Sequence, residues 1–568
     1  MSADTDPDTS GPTLPAPVVA ALRAAKADPA SDAALLALAD ELARSGDPDG
    51  AAYFRAVAAR DRPHLPPGEW REHFAAEMAL AARHSGTRFG RLARRADAGG
   101  YTDRRGFPEV ACFDGDLVLD GDAGIGNLAD SRGWPWGGRL RVSLMSRLSP
   151  AAVLKRLLPL PLLADVFDLE LALVKLPPAA AAALAAAPAL GHLRELHLSR
   201  TATTAAAVKA LVESPLAAHL RALSVQTDGA GLAVLAGAAA LANVRALRVA
   251  GNKFATKDWA KLGNSQHLAA VRSLDLARTP IDGGTMAALA ATPLVARLES
   301  LTLDEVADPD AALAALAASP NAGNLRVLSC RGGRAVGPSS AAVVALAASP
   351  HLANLRSLDL FRGQVKADGI KSLATSKTLV GLERLVLSES PIGAAGGKAL
   401  AESPALARLT DLILADCKLG DAGGLALAGS PHLANLRVLT LPGNGLASEV
   451  VEAVARPGAF DRLRALLLGY NKIDDAGVKA LADARHLTDL GVLDLTGQGK
   501  PSLASDRQGK LLTGAAIDAL LKSKPLAKLA ILNLEGNEIA VRRKDDLAAR
   551  FGDRVHCFHG PARLHWFR

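Results

Sequence analysis

Four side chains near the C-terminal end, His556, Cys557, His559 and His565, are the one close grouping in the chain with metal-ligand character. Imidazole and thiolate donors suit zinc, yet structural zinc sites pair their ligands at short regular spacings, and no second cysteine stands nearby. An ordinary terminal segment is therefore expected, with no metal and no cofactor. The other cysteines, Cys112, Cys330 and Cys417, lie far apart without a CxxC pair. That spacing argues against a disulfide scaffold and fits a reducing compartment. A phosphate-cradling glycine loop, an HExxH helix and a GxSxG elbow are all missing. No enzyme activity is expected.

The remaining chemistry sits in columns of polar side chains that recur at a fixed interval. The phrase LxxLxL appears at Leu382, Leu409, Leu436 and Leu463 with almost no drift. Its first apolar position also falls at Val166, Leu193, Leu220, Val244, Val271, Leu298, Leu325, Leu355, Leu490 and Leu529. The spacing is 27 residues in ten of thirteen intervals. Such a period marks a stack of similar supersecondary units, and the phrase identifies each unit as a leucine-rich repeat. The expected fold class is α/β: a leucine-rich repeat solenoid, curved like a horseshoe, with a parallel sheet on its concave face and helices on its convex face. A small helical N-terminal domain precedes it.

Within the phrase, positions 4 and 6 point inward and position 5 points out. A short polar residue follows at position 9 (Asn252, Asn444, Asn471 and Asn537, with Thr201, Thr279, Ser390 and Cys417 elsewhere), able to bond the turning backbone. Cys417 is read as such a turn residue and Cys330 as a buried leucine substitute. Asp421, Ser448 and Asp475 are expected to cap helices that are rich in alanine and stop at Ser-Pro or Thr-Pro. The units resemble the ribonuclease-inhibitor class of leucine-rich repeats over about residues 166–550.

Residues 1–15 are polar and expected to be disordered. Residues 16–85 read as helical. Asp28-Pro29, Asp32, Leu36, Ala39-Asp40, Leu42, Gly46-Asp47-Pro48 and Phe54 resemble a bacterial companion domain that precedes such repeats. The resemblance implies a companion to the array and no activity. Residues 86–165 are expected to form a linker and N-terminal cap, with Arg104–Glu109 entering a first strand, further strands at 116–119 and 139–144, and Trp134 and Trp136 sealing the stack. The array of about 14 repeats spans 166–550, the segment Gly497–Lys510 looping out of it, and 551–568 form a C-terminal cap.

Lys and Arg number 65 against 58 Asp and Glu, a net +7 spread along the chain, so no nucleic-acid footprint is expected. Arginine recurs at position 2 (Arg194, Arg221, Arg245, Arg272, Arg326, Arg356, Arg437, Arg464), read as an edge residue whose stem covers apolar surface or as an anion ladder, the edge role favoured. Position 5 is mostly polar, as a wet wall should be. Val386, Ile413 and Leu467 break the rule, with Phe361 and Tyr470 nearby and Asp359, Glu389, Asp411 and Asp416 around them. An apolar patch with an acidic rim suits a protein partner; drift toward β-branched residues explains it equally well. The expectation is a cytoplasmic, monomeric interaction scaffold with no membrane span, binding an unidentified protein on its concave face. A regulator of an enzyme, such as a GTPase-activating protein, and a nucleic-acid binder working through the arginines are the alternatives.

Overall fold

The computed structural model describes residues 14–28, 31–60, 109–113, 139–143, 149–173, 175–251, 254–334, 337–499, 511–552 and 555–556. Trp134, Trp136, Asn252, the strand expected at 116–119 and Cys557, His559 and His565 of the tail lie outside them.

Three helices come first: α1 (Ala16–Ala27), α2 (Asp32–Arg44) and α3 (Pro48–Arg60). Their boundaries follow from local chemistry. The Ser31 hydroxyl accepts from Ala34 N at the start of α2, and Asp47 Oδ1 accepts from Gly50 N at the start of α3. Between them Gly46 takes a left-handed φ of 86°, which a side chain would resist. Helix α1 docks on the first turns of the array. Arg23 pairs with Asp165 at 3.0 Å, and Arg221 Nη1 reaches Ala27 O at 3.3 Å. Lys26 Nζ donates to Asp165 O at 2.6 Å and sits 5.3 Å from the Phe167 ring centre. Burial pushes the Lys26 amine down to about 8, against the opposing pull of Asp165.

The strands that follow form one open sheet, 18 among the described residues. It opens with β1 (Glu109–Phe113), β2 (Arg139–Ser143), β3 (Asp168–Ala172), β4 (Lys175–Leu176) and β5 (Glu195–Thr203), all in parallel pairing. The sheet therefore begins two strands upstream of the regular leucine phrase. From β5 onward each strand pairs with the next one in the chain, so the sheet grows by one rung per repeat. Position 4 stays in register from Leu328 through Leu358, Leu385, Leu412, Leu439, Leu466 and Leu493 to Leu532. These leucines are completely or almost completely buried. Strands stack ~4.8 Å apart while helices need ~8–10 Å, and that mismatch curves the array with the sheet inside.

Two side-chain ladders tie the rungs. In one, the serine after a helix donates to a carbonyl at the end of the preceding helix: Ser319 to Ala290, Ser349 to Ala317, Ser376 to Ala347, Ser403 to Ala374 and Ser430 to Ala401, all within 2.5–2.8 Å. The Ser-Pro ends are thus joints as well as stops. In the other, Asn444 Oδ1 accepts from Cys417 N and its Nδ2 donates to Leu414 O at 2.6 Å. Asn471 and Asn537 repeat the arrangement. Gln498 joins the same ladder, fully buried, with Nε2 donating to Leu468 O at 2.9 Å. Gly497, Gln498 and Gly499 of the segment expected to loop out therefore belong to the repeat, and residues 500–510 lie outside the described residues.

The helix starts depart from expectation. Asp421 and Asp475 lie in the first turn and reach the next repeat, accepting from Ala447 N at 2.6 Å and Thr513 N at 2.8 Å. Ser448 donates to Asp474, and Asp474 is the residue that caps its helix. These side chains join repeats instead of capping their own helices.

Candidate partner-binding surface

Val386, Ile413, Thr440 and Leu467 stand side by side at position 5, each in register with the next. The expected exposed patch is not what they form. Their exposures are 4, 3, 3 and 3 %. Each is flanked by in-register neighbours at the spacing of adjacent strands, on the side of the sheet where curvature draws side chains together. They make a closed apolar floor.

The acidic residues around this floor divide by occupation. Asp359 is buried, accepts Phe361 N at 3.0 Å, and takes two donors from Arg331 at 2.9 and 2.7 Å. Asp275, Asp494 and Asn533 likewise accept the N–H two residues on, so Asp359 is a strand-ending turn residue and not a rim charge. Asp411, half-buried, accepts from Thr410 Oγ1 at 2.6 Å and Arg384 Nη1 at 3.3 Å. Glu389 is exposed and pairs with Arg362 at 2.7 Å. No described side chain bonds the Asp416 carboxyl, whose pKa is pushed up by burial and then by the nearby Glu389. Gly443 on the next rung leaves it room, since a Cβ there would come within 2.1 Å of Asp416 Oδ1. Phe361 is half-buried, with the Arg362 guanidinium 5.2 Å from its ring centre.

Glu389, Asp416 and Tyr470 share one backbone feature that sequence reasoning missed. All occupy position 8, where the chain leaves the strand, with φ of 58, 54 and 56°. Gly443, Gly497 and Gly536 hold the same position at 67, 56 and 69°. A left-handed φ is unfavourable for residues bearing a Cβ. Arg278 and Glu305 also occupy it and pair at 2.9 Å, as Arg362 and Glu389 do. Glycine at this position in some repeats was the available signal, obscured by charged residues in the others.

Three of the position-2 arginines fold back on their own rung, while Arg221 reaches Ala27 O. Arg272 Nη1 donates to Ala269 O at 2.8 Å and Val271 O at 2.9 Å, and Arg194 and Arg356 reach Leu193 O and Leu355 O. Burial lowers the Arg194 pKa, with Arg221 adding to the effect. This is edge packing. The two cysteines described are inert: Cys417 Sγ donates to Leu387 O at 3.2 Å with its thiol pushed up to about 12 by burial, and burial raises Cys330 further.

With this geometry in place, comparison with known proteins is informative. A model of the Leucine Rich repeat family matches residues 351–374, 408–428 and 463–482. The fold is a leucine-rich repeat solenoid. Among solved structures, an internalin from Listeria monocytogenes is similar at 16 % identity, over 60 % of this chain and 80 % of that one, with a TM-score of 0.31. No curated protein matches. Within the solenoid's described residues, no helix is long and apolar enough to cross a membrane.

The solenoid also gathers a cluster that reading position 5 by itself did not find. Asp168, Glu195 and His197 place one ligand atom each within 4.8 Å of one another. Glu170 and His197 were visible in the position-5 column. Asp168 and Glu195 occupy position 3 of the same two rungs, and reading both columns together was the signal.

Proposed function

We propose that this solenoid is a non-enzymatic protein-interaction scaffold that takes a protein partner along the ridge where the strands turn, between Phe361 and Tyr470. Phe361, Glu389, Asp416 and Tyr470 would touch the partner. Val386, Ile413 and Leu467 form the stiff floor beneath, and Asp359 and Asp411 hold the ridge in shape. The observation that carries this reading is Tyr470, an aromatic held at a left-handed φ where the rungs on either side use glycine. The left-handed turn is shared with Arg278, Glu305, Arg362, Glu389 and Asp416, so the pointer to use is the aromatic side chain that this turn carries. An aromatic on the same ridge as two acidic side chains, two and three rungs away, suits a basic, partly apolar partner surface. The bonding of Arg194, Arg272 and Arg356 to their own rungs, and of Arg221 to Ala27 O, supports this reading over nucleic-acid binding.

The test places a photo-crosslinking phenylalanine analogue at position 470 of the intact chain and, as a control, at exposed Leu425 on the helical side. A protein crosslinked from 470, absent from 425 and lost with Glu389→Lys is the expected result. Equal yields from both positions, or none from 470, would remove the assignment.

A further inference from the structure

We infer that the first rungs of the concave wall form a site for one divalent transition-metal ion, with Asp168, Glu195 and His197 as its ligands. Strands β3 and β5 place Asp168 opposite Glu195 and Glu170 opposite His197, so four ligand-type side chains share one face as a two-by-two block. Three of the four are carboxylates.

His197 Nε2 lies 3.3 Å from Glu195 Oε2, a long hydrogen bond, and 3.5 Å from Asp168 Oδ1. In a tetrahedral site with metal–ligand bonds of ~2.0–2.2 Å, neighbouring ligand atoms stand roughly 3.3–3.6 Å apart. The two measured separations fall in that interval. The donor set of one imidazole and two carboxylates suits zinc and its first-row neighbours, whereas magnesium and calcium prefer oxygen alone.

Access is adequate on one side. Side-chain exposure is 7 % for Asp168, 26 % for Glu195 and 20 % for His197, so the cluster is set into the wall yet open to the concave space. The next strand presents Ala222 opposite Glu195 and Ser224 opposite His197, small residues that do not fill the opening. On the other side, Arg139 and Arg141 of β2 stand in register with Asp168 and Glu170. Neutralisation of the carboxylates by those arginines is the competing account.

Zinc titration of the full chain, stripped with chelator and followed by calorimetry, separates the two. The expected result is one Zn2+ per chain, retained when the tail donors are removed together (His556→Ala, Cys557→Ser, His559→Ala, His565→Ala). Either His197→Gln or Glu195→Gln should weaken it by about tenfold or more. Zn2+ should also raise the melting temperature of the tail variant and leave His197→Gln unmoved. No zinc binding by the intact chain would overturn the proposal in favour of the arginines. Binding that vanishes in the tail variant and survives His197→Gln would overturn it in favour of the tail. A metal-free melting profile of His197→Gln that matches the unchanged chain confirms that the variant folds; if it does not match, Glu195→Gln and the tail variant decide.

Discussion

The two halves of the sheet carry the same inward leucines and opposite walls. Val327 and Val492 both occupy position 3 of their repeats, and one is 41 % exposed while the other is fully buried. At position 5 the early rungs present half-buried His197, Arg248, Asp275, Thr302 and Ser329 beside buried Glu170 and Ser224; the later ones present the closed run from Asp359 through Val386, Ile413, Thr440 and Leu467 to Asp494 and Asn533. Position 9 varies as well. Thr201 bridges to the preceding rung through its hydroxyl, Thr279 makes a single hydroxyl bond to Leu276 O within its own rung, and Asn471 bridges rungs with both ends of its amide. The leucines therefore set the frame once, and the wall's chemistry varies independently of it. Most position-5 groups of the early half stay partly open, and those of the later half close into a packed floor.

Identical substitutions placed in the two halves should break or sharpen this contrast. Ile413→Asn strands a buried amide and opens a cavity, so chemical denaturation of the intact chain should show a loss of about 4 kcal/mol. Thr302→Asn, in the open half, should stay within about 0.5 kcal/mol. Next comes the ladder. Asn471→Ala removes the partner of Leu441 O, Leu468 O, Asn444 N and Leu446 N, and should cost about 3 kcal/mol. Thr279→Ala, with one bond to lose, should cost about 1 kcal/mol by the same measurement.

A further effect concerns the early end, where α1 docks. The Lys26 amine falls from 10.5 to about 8 on folding. Between those values the unfolded chain binds the extra proton, so stability rises with pH through that window and is flat below it. Lys26→Met should be the more stable protein at pH 7. Its advantage should shrink by roughly 2 kcal/mol by pH 10, read from paired denaturation curves.

Much of the frame was legible from spacing alone, because a leucine at positions 1, 4 and 6 every 27 residues leaves one parallel register. What escaped depends on how rungs meet. The closure of Val386, Ile413 and Leu467 depends on curvature and in-register neighbours, which a single repeat does not express. Asp421 and Asp475 have the side chains of helix caps, yet they reach across to the following repeat. Gln498 looked like the start of an insertion because its amide is one methylene longer than the asparagines it replaces. The sheet's first strands lack the repeated phrase: Arg139–Ser143 was recognisable only as a strand-like piece, and Glu109–Phe113 only through the Arg104–Glu109 segment expected to enter a first strand. For the candidate surface, the identities of Phe361 and Tyr470 were readable, and the left-handed backbone under Tyr470 was not.

Thiol labelling tests the contrast most directly. In a Cys112→Ser, Cys557→Ser background, where Cys330 and Cys417 are buried, a single cysteine is placed at Val327, Val386 or Val492 and its maleimide reaction is followed under native conditions. The account predicts rapid labelling at position 327 and labelling at 386 and 492 only once the chain is unfolded by denaturant. Comparable native rates at all three positions would contradict it.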